Sequence, residues 1–266
     1  IATGSYRRKC RERVRKIRPK SMTSQQKILL NVQTNNVDTA IEVSERYPGR
    51  IVIGVTAKDF PDLRDGIAVV NKMQEMGVLV SAGLGDGAAN QWQRALDLAL
   101  ATKPFHLNQV FPASALSRKA LRDACAVTIV NGLIRPSSKV GAVCIGTGPE
   151  SSDYALESVS TELAVALLHE MSVDSVKLFP LHGLTYIDEL REVAMVATSR
   201  GMMVEQTGGL TIAMLPEILK ACSFTGEERI MPHLYSSVKN PTTGDLDFSL
   251  IADAMAIIDD HLRVGV

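Results

Sequence analysis

The residue most out of place in this chain is a lysine. Lys177 lies within Ser175-Val176-Lys177-Leu178-Phe179-Pro180, an apolar run of strand length. Burying an ammonium ion is costly, so a lysine inside such a run needs a reason. Strand alternation puts Lys177 and Phe179 on one face and Val176 and Leu178 on the other. With the second pair against covering helices, Lys177 points inward. Pro180 has no N–H and ends the strand, which leaves the amine near the strand's C-terminal rim. Desolvation there disfavours the charged form. A neutral amine beside a carbonyl is what Schiff-base formation requires. Two other readings fit the same residue: a structural partner for a nearby acid, or a fixed counter-charge for a bound phosphate.

The elements that must position this lysine follow from hydrophobic patterning. From Lys27 onward, short apolar runs alternate with amphipathic stretches. The runs are Ile28–Val32, Ile51–Val55, Val78–Ala82, His106–Val110, Val127–Val130, Ala142–Ile145, Ser175–Phe179, Met202–Glu205 and Arg229–His233. Helical patterns fill 36–47, 61–76, 89–101, 114–124, 160–171, 186–200, 212–222 and 247–262. Continuous apolar strands separated by helices indicate a parallel sheet covered on both faces. Eight strand–helix repeats favour a single closed (β/α)8 TIM barrel over an open doubly wound sheet. One run is in excess, and 134–141 has no helical pattern, so Val127–Val130 and Ala142–Ile145 are expected to pair antiparallel. Many runs end in glycine-rich or polar loops, where a barrel builds its active site. Glycine also suits any tight βα turn, so no single cluster identifies a site.

Composition bounds the rest. At 266 residues and 45% hydrophobic content, the chain can bury a full core without disulfides or metal. The four cysteines form no C-x-x-C pair and are expected to be reduced. No apolar run is long enough to span a membrane, and no secretory pattern is present, which points to a cytoplasmic protein. The net charge of zero hides an asymmetry: residues 1–20 carry nine of 29 basic side chains and one of 29 acids, leaving −8 on the remainder. Residues 1–24 are expected to be a disordered or non-native basic extension, and 25–266 the barrel domain. An acidic body without interleaved aromatic and basic residues gives nucleic-acid binding no further support. Apolar faces on outer helices such as 163–171 point to a homo-oligomer, although ordinary helix packing explains them equally.

Several strings in order give a resemblance. Lys177-Leu178-Phe179-Pro180 resembles the strand-six signature of the 2-keto-3-deoxy-6-phosphogluconate aldolases, whose lysine forms the pyruvate Schiff base. Gln206-Thr207-Gly208-Gly209-Leu210 resembles their phosphate loop, with glutamine where proline is usual. The stretch from Lys27 to about Leu262 is more similar still to the KDGP aldolase family, through Leu30-Asn31-Val32, Leu107-Asn108-Gln109-Val110-Phe111, Val130-Asn131-Gly132-Leu133, Thr147-Gly148-Pro149 and Pro232-His233-Leu234-Tyr235-Ser236-Ser237.

The resemblance implies cleavage of 2-dehydro-3-deoxy-6-phosphogluconate, a phosphorylated keto acid, to pyruvate and glyceraldehyde 3-phosphate with no metal or cofactor. It implies Lys177 as nucleophile and Thr207, Gly208 and Gly209 as a phosphate cradle, where free N–H groups and a helix start favour an anion. Ser236 and Ser237, after the last strand, would close that site, although simple turn chemistry explains them as well. The general base does not carry over. The strand-two glutamate of the phosphogluconate aldolases falls in Gly54-Val55-Thr56, which has no carboxylate. Glu205 is the first candidate to replace it, with His182, His233 and Asp86 in reserve, and Lys58 and Arg135 as loop cations for the substrate carboxylate. Three alternatives remain: a metal-dependent keto-acid aldolase using Glu205, Asp86 and His233, a non-catalytic sugar-phosphate-binding barrel, and a phosphate-binding isomerase.

Overall fold

The computed structural model describes residues 27–154, 157–226 and 228–264. The apolar runs are strands: β1 (Leu30–Gln33), β2 (Ile51–Thr56), β3 (Leu79–Gly83), β4 (His106–Leu107), β5 (Ile129–Pro136), β6 (Ala142–Cys144), β7 (Val159–Ser160), β8 (Ser175–Leu178), β9 (Met203–Gln206) and β10 (Ile230–Pro232). The amphipathic stretches are helices: α1 (Val37–Arg46), α2 (Leu63–Glu75), α3 (Trp92–Thr102), α4 (Phe111–Asp123), α5 (Thr161–Glu170), α6 (Ile187–Thr198), α7 (Leu215–Cys222) and α8 (Phe248–Val264). Local chemistry sets several starts. Asn36 caps α1 by accepting from the N–H groups of Asp38 and Thr39, and Ser160 caps α5 through Leu163 N–H. Pro112 sits in the first turn of α4, where its missing N–H costs nothing, so that helix begins earlier than its apolar period suggests.

Eight strands pair in parallel in the order β1-β2-β3-β4-β5-β8-β9-β10. The pairs Ile28↔Ile230 and Asn31↔His233 join the last strand to the first. The expected (β/α)8 barrel is therefore the fold. The surplus run is β6, which pairs antiparallel with β5 as expected, but with its outer end rather than with Val127–Val130. β5 continues through the stretch read as a loop, and its outer end pairs antiparallel with β6 (Arg135↔Cys144, Pro136↔Val143), which pairs in turn with β7. This small antiparallel annex is inserted between β5 and its helix α5.

Inside the barrel the strand period of two sorts side chains into layers. The lower layer is apolar: Leu29, Val52, Met203 and Met231, with Leu79, Phe105 and Ile129 packed on them. The next layer along the strands holds Asn31, Ser81, His106, Asn131, Ser175, Glu205 and His233, all at most 1% exposed. Above them Gln33, Thr56, Gly83, Asn108, Leu133, Lys177, Thr207 and Tyr235 line a cavity at the C-terminal mouth, one from each barrel strand or its direct continuation. The outward residues Val176, Leu178 and Val204 are fully buried against the helices.

Cys144 and Cys222 are buried thiols, whereas Cys125 is disulfide-bonded, which departs from the expectation of four reduced thiols. The basic extension and Cys10 lie outside the described residues. Among the described residues no helix is long and apolar enough to cross a membrane. Leu163, Leu167 and Met171 on and just beyond α5 are each at least 36% exposed, the row on which the expectation of an oligomer rests.

The seam between β10 and β1 is thinly paired, and a side-chain clasp reinforces it. Asp245 accepts hydrogen bonds from Thr34 Oγ1 (2.8 Å), Asn36 Nδ2 (2.8 Å) and Thr39 Oγ1 (2.6 Å), tying the start of α1 to the segment after β10. Burial alone would raise its pKa, but the bonds from Thr39 and Thr34 hold the carboxyl below its usual value. The stability this adds is present above the unfolded pKa of about 3.9 and is lost as pH falls through the lower folded value. Asp245→Ala is expected to lower the unfolding free energy at pH 7 by about 2 kcal/mol, a partly exposed site discounting the sum of the bonds. Urea titrations at pH 7 and pH 3 should show that deficit shrinking at the acid end.

Candidate active site

Lys177 sits at the floor of a cavity of about 420 Å³ and is 7% exposed. Its Nζ donates to Asn108 Oδ1 at 2.7 Å and lies 3.2 Å from His233 Nδ1. Burial pushes its pKa down to about 8, against a smaller opposing effect of the Glu205 charge. With a pKa of about 8 a minor but usable fraction of the amine, on the order of a tenth, is neutral at pH 7, with no adjacent cation needed to lower the pKa.

Glu205 lies one layer below, 0% exposed, and its carboxylate is saturated. Oε1 accepts from His106 Nε2 (3.0 Å) and Ser175 Oγ (2.6 Å); Oε2 accepts from Asn131 Nδ2 (2.9 Å) and His233 Nε2 (3.0 Å). Burial alone would raise its pKa, but the two histidines hold it well below the usual carboxylate range. An ionised carboxylate only accepts, so both imidazoles must carry their proton on Nε2. In a neutral imidazole Nδ1 is then an acceptor. His106 Nδ1 receives from Ser81 Oγ (2.8 Å), whose oxygen accepts from Asn108 Nδ2 (2.9 Å). His233 Nδ1 faces Lys177 Nζ and Tyr235 Oη (2.8 Å). The result is a closed ring. One hydrogen-bonded arm runs from the Lys177 amine to the Glu205 carboxylate through Asn108, Ser81 and His106; the other passes through His233, whose single Nδ1 lone pair is shared between Lys177 Nζ and the shorter contact from Tyr235 Oη. Burial and the nearby Lys177 charge press the His233 pKa down to about 3 despite Glu205, so its imidazole is neutral.

The other end of the cavity is built from the loop after β9 and the turn after β10. Thr207, Gly208, Gly209 and Leu210 line it together with Ser236 and Lys239. Gly208 has φ +104°, and a Cβ there would lie 2.7 Å from Pro180 Cα, so no other residue fits without moving backbone. Gly209 follows at φ +72°, a second position in a row that favours glycine. Lys239 also lines this end, so the glycine loop and a cationic side chain share one cavity with Lys177.

The remaining expected site residues divide. Asp86 lines the cavity but is ion-paired with Lys58, whose stem lies against Gly85. Ser237 is not in the lining, and its buried Oγ has no partner among the described residues. His182 is exposed and packs on Tyr186, and Arg135 binds Ser152 Oγ at 2.6 Å in the annex; neither lines the cavity. Glu205, expected as the base, also lies outside the lining. Its four bonds and buried position suit it to orient groups rather than to touch a ligand. Gly54 stands where the strand-two carboxylate would be, and a Cβ there would lie 3.3 Å from Asn31 Oδ1, a tight but adjustable contact. Among the described residues no three His, Cys, Asp or Glu side chains are grouped to hold a metal ion. Sequence reasoning assigned no role to His106, Asn108, Asn131, Ser175 or Tyr235. The signal was the same as for Lys177, polar side chains at inward positions of apolar strands.

The KDGP aldolase family model matches residues 24–241. A 2-dehydro-3-deoxy-phosphogluconate aldolase of Salmonella typhimurium (strain 14028s / SGSC 2262) is 34% identical over 222 residues, 83% of this chain and 90% of that protein. Among solved structures, a thiamine phosphate pyrophosphorylase from Pyrococcus furiosus superimposes with TM-score 0.56 at 13% identity, covering 90% of this chain and 98% of that one. KGPDC from Streptococcus mutans gives 0.54 at 13% identity, covering 89% and 98%. These two likenesses concern the barrel alone.

The geometry fixes how Lys177 titrates. After reductive methylation with ¹³C-formaldehyde, its NMR signal should shift with a midpoint near pH 8, whereas surface lysines titrate near about 10.4. In Glu205→Gln the one charge that raises this pKa is gone, so the midpoint should fall further. That substitution should also cost about 3–5 kcal/mol in urea unfolding, because it breaks a buried charge network. A Lys177 signal that moves with the surface lysines would contradict the environment described.

Proposed function

The chain belongs to the KDGP aldolase family, and we propose that it is a Schiff-base aldolase cleaving 2-dehydro-3-deoxy-6-phosphogluconate to pyruvate and glyceraldehyde 3-phosphate. The observation that carries this reading is the placement of Lys177. Its amine stands at the cavity floor with a pKa near 8, in reach of a ligand whose far end rests on an anion cradle. Lys177 attacks the C2 ketone, and loss of water gives an iminium. The iminium draws the C3–C4 electron pair towards nitrogen as the aldehyde leaves. Thr207, Gly208, Gly209, Ser236 and Lys239 hold the phosphate, while Thr56, Asn108 and Gln33 face the keto-acid end. Ser237, outside the cavity lining, shapes this turn rather than binding phosphate directly.

Glu205 serves in this scheme as the positioning residue that fixes His106 and His233. The closed ring disfavours the reading of Lys177 as a plain counter-charge. An anion-binding lysine gains nothing from a lowered pKa, and a depressed value weakens it at neutral pH.

Incubation with pyruvate followed by borohydride should add a reduced pyruvyl group to Lys177 alone, located by peptide mass mapping. Lys177→Arg should lose the adduct and lower kcat by on the order of 10⁴-fold or more. Aldol activity without an adduct would reject the imine and turn attention to a metal. Gly208→Ala should separate the two ends of the site. The KM for the phosphorylated substrate is expected to rise about tenfold, equivalent to about 1.4 kcal/mol, with pyruvate trapping unchanged.

A further inference from the structure

Imine chemistry at Lys177 leaves one proton without a carrier. Cleavage takes a proton from the C4 hydroxyl, and release of pyruvate delivers one to C3. Among the residues lining the cavity, Asp86 offers a carboxylate and His233 an imidazole to take it up. Asp86 is 87% exposed in its side chain and neutralised by Lys58 at the rim. His233 is at the floor, and its geometry is specific. Glu205 Oε2 holds its Nε2 proton, which leaves the Nδ1 lone pair turned towards the cavity side. That lone pair lies 3.2 Å from Lys177 Nζ and receives the Tyr235 hydroxyl at 2.8 Å. In an imine on Lys177, C3 is two bonds from Nζ, about 2.5 Å away. Tyr235 belongs to the residue layer that lines the cavity, directly above His233 on the same strand continuation.

We propose, on the reading of Lys177 as the imine-forming residue, that Tyr235 and His233 are the acid–base pair of this site, with Glu205 as their positioning residue. In cleavage the C4 hydroxyl proton passes to Tyr235 Oη while the Tyr235 proton passes to His233 Nδ1. The C4–O bond becomes a carbonyl, the C3–C4 bond breaks, and its electron pair forms the C2=C3 bond as the iminium becomes an enamine. The imidazolium so formed is stabilised by the Glu205 carboxylate on its other nitrogen. After the aldehyde leaves, the same proton returns through Tyr235 to C3, and the enamine electrons restore the iminium. Hydrolysis with one water then frees pyruvate and the Lys177 amine. The proton taken from C4 is the one delivered to C3, so the steps balance without a further donor or an oxidant.

This arrangement takes the place of a strand-two carboxylate without occupying its position. Gly54 offers no side chain at that position, and the acid sits instead on β9 in the same buried layer and acts through an imidazole and a phenol.

The test separates imine formation from proton transfer in one protein. Wild type and Tyr235→Phe are each incubated with pyruvate in D₂O, the exchange of the C3 methyl protons is followed by NMR, and imine is trapped with borohydride. Tyr235→Phe is expected to trap pyruvate on Lys177 as wild type does, but to exchange C3 protons at least about 100-fold more slowly. Exchange within about threefold of wild type, with trapping intact, would overturn the relay and leave the imine reading standing, since a general acid–base group contributes about 10²-fold or more. Failure of Tyr235→Phe to trap would also overturn it, since Tyr235 would then serve the imine step itself. Wild type that fails to trap pyruvate at all would overturn the imine reading, and the relay with it.

Discussion

A buried ammonium ion and a buried carboxylate, held apart rather than in contact, are the constraint on which this structure depends. Each alone would cost several kcal/mol to bury, even after relaxation. Joined directly, they would be a salt bridge with a fully charged lysine. The barrel instead interposes His233 on one side and Asn108, Ser81 and His106 on the other. Every donor in both arms points from Lys177 towards Glu205. The directionality fixes the tautomers of both histidines and leaves the lysine only weakly supported as a cation. One arrangement thereby supplies partners to both buried charges and keeps the amine reactive.

The strands carry out this separation through their phase. Two inward residues per strand, one in the sealed polar layer and one in the lining layer, place Glu205 and Thr207 on β9 and its continuation, and His233 and Tyr235 beyond β10. A one-residue slip in either would turn these side chains towards the helices. The apolar layer of Leu29, Val52, Met203 and Met231 closes the barrel beneath them and keeps water from reaching the ring from below. The Asp245 clasp acts on the same assembly, because it secures the seam from which His233 and Tyr235 emerge.

Much of this was legible in the sequence, and the exceptions have physical causes. The eight-strand parallel order followed from apolar runs separated by helices, because both strand faces are buried and the signal is strong. Lys177 was legible because one charge in an apolar strand has few explanations. The length of β5 was not. Arg135-Pro136 looks like a loop, yet at an edge the antiparallel annex accepts a proline that a central strand would not. Glu205 was visible as an unusual strand carboxylate, but its role depends on partners from β4 to the end of β10 that only closure brings together. Residue type alone does not tell a carboxylate with four donors from one facing a substrate. His233 and Tyr235 stood in a recognisable string, and what the string lacked was the tautomer, which Glu205 imposes from another strand.

The central claim is the polarity of the ring, and neutron diffraction of deuterated protein at neutral pH observes it directly. The expected result is a Glu205 carboxylate free of deuterium, with both His106 and His233 deuterated on Nε2 and bare on Nδ1. The Tyr235 deuteron should point at His233. A deuteron on Glu205, or on Nδ1 of His233, would reverse an arm of the ring and contradict this polarity.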